Sequence, residues 1–175
     1  MTQADARTTA VASKVKVQNV RPSLTFKEGT EDAVSFYVSL FPNSKVVSLL
    51  RATPGGPLPE GSVLHASFVL DGQEYTAFDG GPSFNFTEAF SFVATCETQK
   101  ELDEIWARLT ADGGEEGPCG WLKDRFGVSW QVVPASLGTM MSDPKSGNPA
   151  KVMEALLKMR KLDIATLERA YRSGA

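Results

Sequence analysis

Few side chains in this chain have wide chemical reach. His65 is its one histidine, and a neutral imidazole can ligate a metal or exchange a proton near neutral pH. It alternates with Ser67 in an apolar stretch, so on a strand both point to the same side. A structural or partly exposed strand position explains the same pattern. Gln131 interrupts the run Val128-Ser129-Trp130-Gln131-Val132-Val133. On a strand it shares a side with Ser129 and Val133, while Trp130 and Val132 face the other way. An amide in a cavity can fix a ligand carbonyl, donate to an oxygen or weakly coordinate a metal. It can also serve a neighbouring backbone group, because burying it unpaired is costly.

The remaining reactive groups read more simply. Cys96 and Cys119 lack C-x-x-C spacing and are expected to stay reduced. Lys123 and Arg125 offer Cys119 positive charge, yet its place before Gly120-Trp121 suits a small buried hydrophobe, which is the preferred reading. No nucleophile-elbow motif surrounds Ser39, Ser67, Ser91 or Ser129. The pairs Asp71/Glu74 and Asp79/Glu88 flank turns and read as caps or salt partners. There is no H-E-x-x-H helix, phosphate loop or dinucleotide fingerprint, and Gly55-Gly56 and Gly80-Gly81 are turn signals.

The elements that position these residues follow from periodicity. A first strand is expected within Val15–Phe26, ordered toward Phe26, with Pro22 indicating an edge. Thr30 is expected to cap a helix carrying Ala33, Phe36, Tyr37 and Leu40, which Pro42 stops. Strands follow at Ser44–Arg51, Ser62–Leu70 and Gln73–Asp79, the last two joined by an Asp71-Gly72 turn of type I′. A second half opens with a strand at Ala89–Thr95. Thr98 and Glu101 have capping-box spacing before the stripe Leu102, Ile105, Trp106 and Leu109, and Gly113-Gly114 ends that helix. A hairpin then pairs Trp121-Leu122 with Val128–Val133. Asn148-Pro149 starts a helix bearing Val152, Leu156 and Met159, and Asp163 caps a short one through about Tyr171. Trp106, Met153 and Met159 read as packing residues.

Length and charge bound the rest. The 175 residues form most simply one domain with its own core. A net charge of −3 offers no reason to expect nucleic acid or anionic membrane as a partner. The basic group Lys151, Lys158, Arg160 and Lys161 is broken by Glu154, Asp163 and Glu168 and reads as a solvated helix face. Residues 1–17 are expected to be a flexible lead-in, and no stretch is apolar enough to span a bilayer. A cytoplasmic location is the expectation.

Three stretches carry a family resemblance: LTFKEGTEDAVSFYVSLFPNS at residues 24–44, GGPSFNF at 80–86 and CGWLKDRFGVSWQVVP at 119–134, with the tail KMRKLDI at 158–164. Together they resemble the PhnB-like group, often labelled 3-demethylubiquinone 3-methyltransferase, within the vicinal-oxygen-chelate superfamily of glyoxalases, bleomycin-resistance proteins and dihydroxybiphenyl dioxygenases. The resemblance implies an α+β fold of paired βαβββ modules, about 18–81 and 88–134, with C-terminal helices at about 148–171 in a single domain spanning 18–175. It implies a cupped small-molecule pocket and a homodimer.

Working relatives hold a divalent metal on inward strands. Here Gln131 falls where a glutamate ligand is common, Arg21, Pro22 and Ser23 occupy the first-strand ligand region, and His65 stands outside the usual ligand pattern; His65 and Gln131 are the metal and catalytic candidates. Ser23, Thr25, Ser67 and Trp130 are the further pocket candidates, Trp130 only if it is not turned into the helix–sheet core. The leading expectation is a binding protein or an enzyme of unassigned chemistry handling a small oxygenated or aromatic molecule. Metal-dependent lyase, isomerase or dioxygenase chemistry and antibiotic sequestration are alternatives. The methyltransferase label would require S-adenosylmethionine, whose glycine-rich loop the sequence lacks.

Overall fold

A computed structural model describes residues 17–56 and 59–173. The expected lead-in and the N-terminal part of the first expected strand lie almost entirely outside these residues. Two βαβββ modules occur in sequence. The first comprises β1 (Ser23–Phe26), α1 (Thr30–Leu40), β2 (Lys45–Arg51), β3 (Val63–Leu70) and β4 (Gln73–Asp79). The second comprises β5 (Ser91–Cys96), α2 (Gln99–Thr110), β6 (Glu115–Glu116), β7 (Trp121–Lys123) and β8 (Ser129–Pro134). Three helices follow: α3 (Leu137–Ser142), α4 (Pro149–Leu156) and α5 (Ile164–Arg172).

The two sheets share one plan. Their strand orders are β1-β4-β3-β2 and β5-β8-β7-β6, and in each the first strand runs parallel to the last. The hairpin at Asp71-Gly72 has positive φ at both residues, 43° and 81°, as a type I′ turn requires. β1 begins only after Pro22, whose carbonyl accepts from Thr76 but which has no N–H to extend the ladder.

Helix capping divides the expectations. The Thr98–Glu101 box is present in full, and Asn148 and Asp163 cap α4 and α5. Thr30 does not cap α1: it is the first helical residue, after a left-handed Gly29, and its buried hydroxyl has no partner among the described residues. The orphan Thr30 N–H is instead taken by Asp79 Oδ1 at 3.0 Å, from the end of β4. Asp79 Oδ2 accepts from Val63 N at 2.8 Å, so one carboxylate fastens α1 and β3 together. Met159 lies beyond α4, and its carbonyl accepts from Cys119 N.

Both helices pack on one face of their sheets. Leu24, Phe26, Ala66, Phe68 and Ala77 bury against Ala33, Val34 and Tyr37, while Phe92, Ala94, Trp130 and Val132 bury with Leu102, Ile105 and Trp106. The two cores join through aromatic side chains. Tyr37 of α1 lies 5.5 Å from the Trp130 ring centroid and 5.9 Å from Phe126, and Phe41 stacks on Trp130 at 5.7 Å. Arg125 caps this seam over the Phe36 and Phe126 rings, at 4.6 and 4.9 Å.

At the seam's centre is Asp124, 3% exposed. It accepts from Tyr37 Oη at 2.7 Å, Trp130 Nε1 at 2.8 Å, Phe126 N at 2.9 Å and Val128 N at 3.0 Å. Burial pushes its carboxyl above the ordinary value, against the pull of these four donors. Burial and the Asp124 charge push the Tyr37 phenol well up as well, so it stays protonated and donating.

The C-terminal helices pack beside α2. Gln99 donates to the Leu162 carbonyl at 3.1 Å and accepts from Ile164 N at 2.8 Å. The basic group is engaged: Lys151 and Lys158 pair with Glu154, and Lys161 with Asp103. Cys96 and Cys119 are both free, and burial pushes the Cys96 thiol up to about 11. Cys119 is partly exposed with φ 57°, so it is a turn residue rather than core. No described helix is long and apolar enough to cross a membrane.

Candidate functional site

Strand alternation gives each sheet a second face, turned away from α1 and α2. In the first sheet, register aligns Ser23, Thr76, Ser67 and Ser48 in one row, and two residues further along it pairs Thr25 with Phe78 and His65 with Leu50. In the second, Val93, Gln131 and Trp121 form one row, and Ser91, Ser129, Lys123 and Glu115 another. Neighbours in a row share a side, because in-register side chains project together. The helix-side residues are nearly all 0–8% exposed, whereas Leu50 and Val93 stand 60% and 58% exposed on the open faces.

Ser23, Thr25, Ser67 and His65 therefore share one face of the first sheet, and Gln131 lies on the corresponding face of the second. His65 is exposed and its Nε2 lies 3.1 Å from Ser67 Oγ. Gln131 is half-buried and its Nε2 donates to Ser91 Oγ at 2.9 Å. Each polar partner is a hydroxyl two residues or one strand away, so neither group is consumed by backbone. Trp130 lies on the other face: it is 2% exposed and donates to Asp124, because it is one residue out of phase with Gln131. It is turned into the helix–sheet core and does not join the other candidates.

Trp121 and Lys123 are not among the candidates that the sequence singles out. Both occupy the open face of the second sheet, where Lys123 Nζ meets Glu88 Oε1 at 2.5 Å. That hydrogen bond and its charge hold the lysine ammonium above, and the Glu88 carboxyl below, their ordinary values. The available signal was Trp121 and Lys123 alternating around Leu122, opposite Gln131 and Ser129.

Two clefts flank these faces. The larger, about 630 Å³, lies between the modules and is walled by Phe41, Tyr75, Phe92 and Trp130. Two of its rim groups have structural work: Glu101 completes the α2 capping box and Arg108 bonds Ser39. The smaller, about 450 Å³, lies beside Trp121, Lys123 and Ser129 on the open face. Gln131 and His65 line neither.

Metal chemistry does not fit this donor set. Among the described residues no three His, Cys, Asp or Glu side chains converge. The two metal candidates stand on different sheets, each bonded to a serine hydroxyl. Nor does Gly80-Gly81 provide a methyl-donor loop, since it leads from β4 into an irregular segment rather than a helix.

The paired βαβββ modules are those of the vicinal-oxygen-chelate fold. More narrowly, residues 18–133 match the family described as 3-demethylubiquinone-9 3-methyltransferase, and the chain belongs to that PhnB-like family. It is similar to a putative 3-demethylubiquinone-9 3-methyltransferase, the PhnB protein of Bacillus cereus, at 39% identity and TM-score 0.62, over 67% of this chain and all (100%) of that one. Protein PA1353 of Pseudomonas aeruginosa is 21% identical with TM-score 0.56, over 67% of this chain and 98% of that one. The fosfomycin resistance protein FosX of Listeria monocytogenes shares the fold at 15% identity and TM-score 0.50, over 67% and 90%. No curated protein matches the chain. The methyl transfer in the family's description is a label of the family, and the α3–α5 tail lies beyond the matched residues.

Proposed function

We propose that this protein binds a small oxygenated or aromatic molecule over the open faces of its sheets, and that a second copy of the chain completes the enclosure. The observation that carries the reading is the contrast between the two faces of each sheet. One is sealed by helices; the other presents Ser23, Thr25, His65 and Ser67 on one sheet, and Gln131 beside Trp121 on the other, with exposed Leu50 and Val93 among them. Hydroxyl, amide and imidazole groups on an apolar floor suit an uncharged or weakly charged ligand rich in hydrogen-bonding groups. Among the described residues β1 and β5 each lack a strand partner on their outer side, and exposed apolar residues beside such edges favour association. A reducing cytoplasmic setting suits two free cysteines.

Val93→Asp tests both parts of the reading. Light scattering is expected to give the wild type twice the 18.9 kDa chain mass and the variant a single chain mass, with unchanged circular dichroism. Binding of a mixed pool of aromatic alcohols, amines and acids is expected to weaken about tenfold in the variant, the scale of losing one desolvated contact. A monomeric wild type that binds the pool equally well would remove the second copy. A dimer that binds none of it would remove the ligand.

A further inference from the structure

Ser129 is 1% exposed, and its hydroxyl has no hydrogen-bond partner among the described residues. It lines the 450 Å³ cleft on the open face of the second sheet, in register with Lys123 on one side and Ser91 on the other. An unpaired buried hydroxyl is unfavourable, so this one is suited to receive a hydrogen bond from a group entering the cleft.

The charge of the same cleft selects the group. Its ionisable lining is Glu88, Glu115, Glu116 and Lys123, three carboxylates against one ammonium. Lys123 is already neutralised by Glu88 at 2.5 Å, and Glu116 Oε1 accepts from Trp106 Nε1 at 2.8 Å. Glu115 has no ion-pair or side-chain hydrogen-bond partner among the described residues, and it stands opposite Lys123 in the β6–β7 ladder. An anion would meet net repulsion here, whereas a cation meets Glu115, whose charge acts on Lys123 across the ladder but whose carboxylate no hydrogen bond engages among the described residues. Half-buried Trp121 supplies the indole that cations prefer among aromatic faces.

We propose that this cleft is an organic-amine subsite: a protonated amine is held by Glu115, bonded to the Ser129 hydroxyl, with its apolar body on Trp121. The inference rests on the open face being the ligand-binding face and adds the chemical class of ligand.

Calorimetry on the full chain with phenethylamine, phenethyl alcohol and phenylacetate tests it. The amine is expected to bind about tenfold more tightly than the alcohol, and phenylacetate more weakly than either, since a charge-assisted bond separates them. Glu115→Gln and Ser129→Ala should each weaken the amine about fivefold while leaving the alcohol within about twofold. Circular dichroism and melting temperature confirm that both variants fold. Equal affinities for the three probes, amine binding untouched by both substitutions, or no amine binding at millimolar concentration would each overturn the subsite. If the alcohol still perturbs Gln131 and Thr76 amides in that event, the binding face stands and only the amine class fails. If no probe perturbs either open face, the proposed function fails with it.

Discussion

Asp124→Ala is expected to destabilise the fold by about 4 kcal/mol, because it strands two side-chain donors and two backbone N–H groups in the core. That is a large share of the stability of an ordinary domain and corresponds to a melting temperature lowered by about 10–15 °C. The loss falls on the seam between the modules, since Tyr37 comes from α1 while Trp130 belongs to β8. Tyr37→Phe removes only one of the four donors and leaves the carboxylate bonded, so about 1 kcal/mol is expected. Urea denaturation of the two variants checks both figures, and equal losses would show that the seam does not depend on the carboxylate.

The same carboxylate gives a signed pH effect. Its folded pKa is raised above the ordinary 3.8, so between those two values the folded state holds more of the proton than the unfolded chain. The stability linked to Asp124 is therefore fully present below the unfolded value and declines as pH rises through the folded one. Asp124→Asn cannot titrate there. The wild type's margin over it should be widest below about pH 4 and narrow toward neutrality. A margin that widens with rising pH would mean that the four donors outweigh burial.

Gly120→Ala is the second large effect. Gly120 has φ 83°, and a Cβ there would lie 2.8 Å from the Val132 carbonyl oxygen and 3.1 Å from Leu162 Cδ1. The backbone conformation alone costs an L side chain about 1–2 kcal/mol, and the collision adds to it, for about 3 kcal/mol in all. Gly127 is the internal control. It has the same φ of 83°, with nothing within 4 Å of its Cβ position, so Gly127→Ala should cost only about 1 kcal/mol. Gly120 also donates to the Arg160 carbonyl and accepts from Val132, so the variant should loosen the C-terminal segment first. Amide exchange at Cys119 and Gly120 reads that loosening, and equal exchange in the two variants would contradict the close approach.

Local rules made much of this fold legible. The two-residue turn at Asp71-Gly72, the Thr98–Glu101 box and the Asn148 and Asp163 caps depend on residues within four positions, and all are present. Alternation likewise put Gln131 and Trp130 on opposite faces, and the structure turns Trp130 into the core. Long-range contacts were not legible. Asp79 serves α1 from 49 residues away, so Thr30 looked like the cap. Nothing in the local sequence singles out Asp124, because its Tyr37 partner is 87 residues distant. β6 has two residues and α3 six, too few for either to show a period.

The site was legible as faces more than as chemistry. His65 and Ser67 share a side as expected, but nothing local tells that Gln131 bonds Ser91, which lies 40 residues earlier on a parallel strand. In the sequence Lys123 is a charge close to Cys119. Its ion pair with Glu88 and its position over Ser129 arise only when β7 and β8 pair.

The most direct test of the binding face is an amide chemical-shift map of the full-length protein titrated with the aromatic fragment pool. Shifts concentrated on Ser67, Thr76, Ser91, Trp121 and Gln131 are the expected result. Shifts concentrated instead on Phe41, Tyr75, Phe92 and Glu104, around the 630 Å³ cleft between the modules, would contradict it.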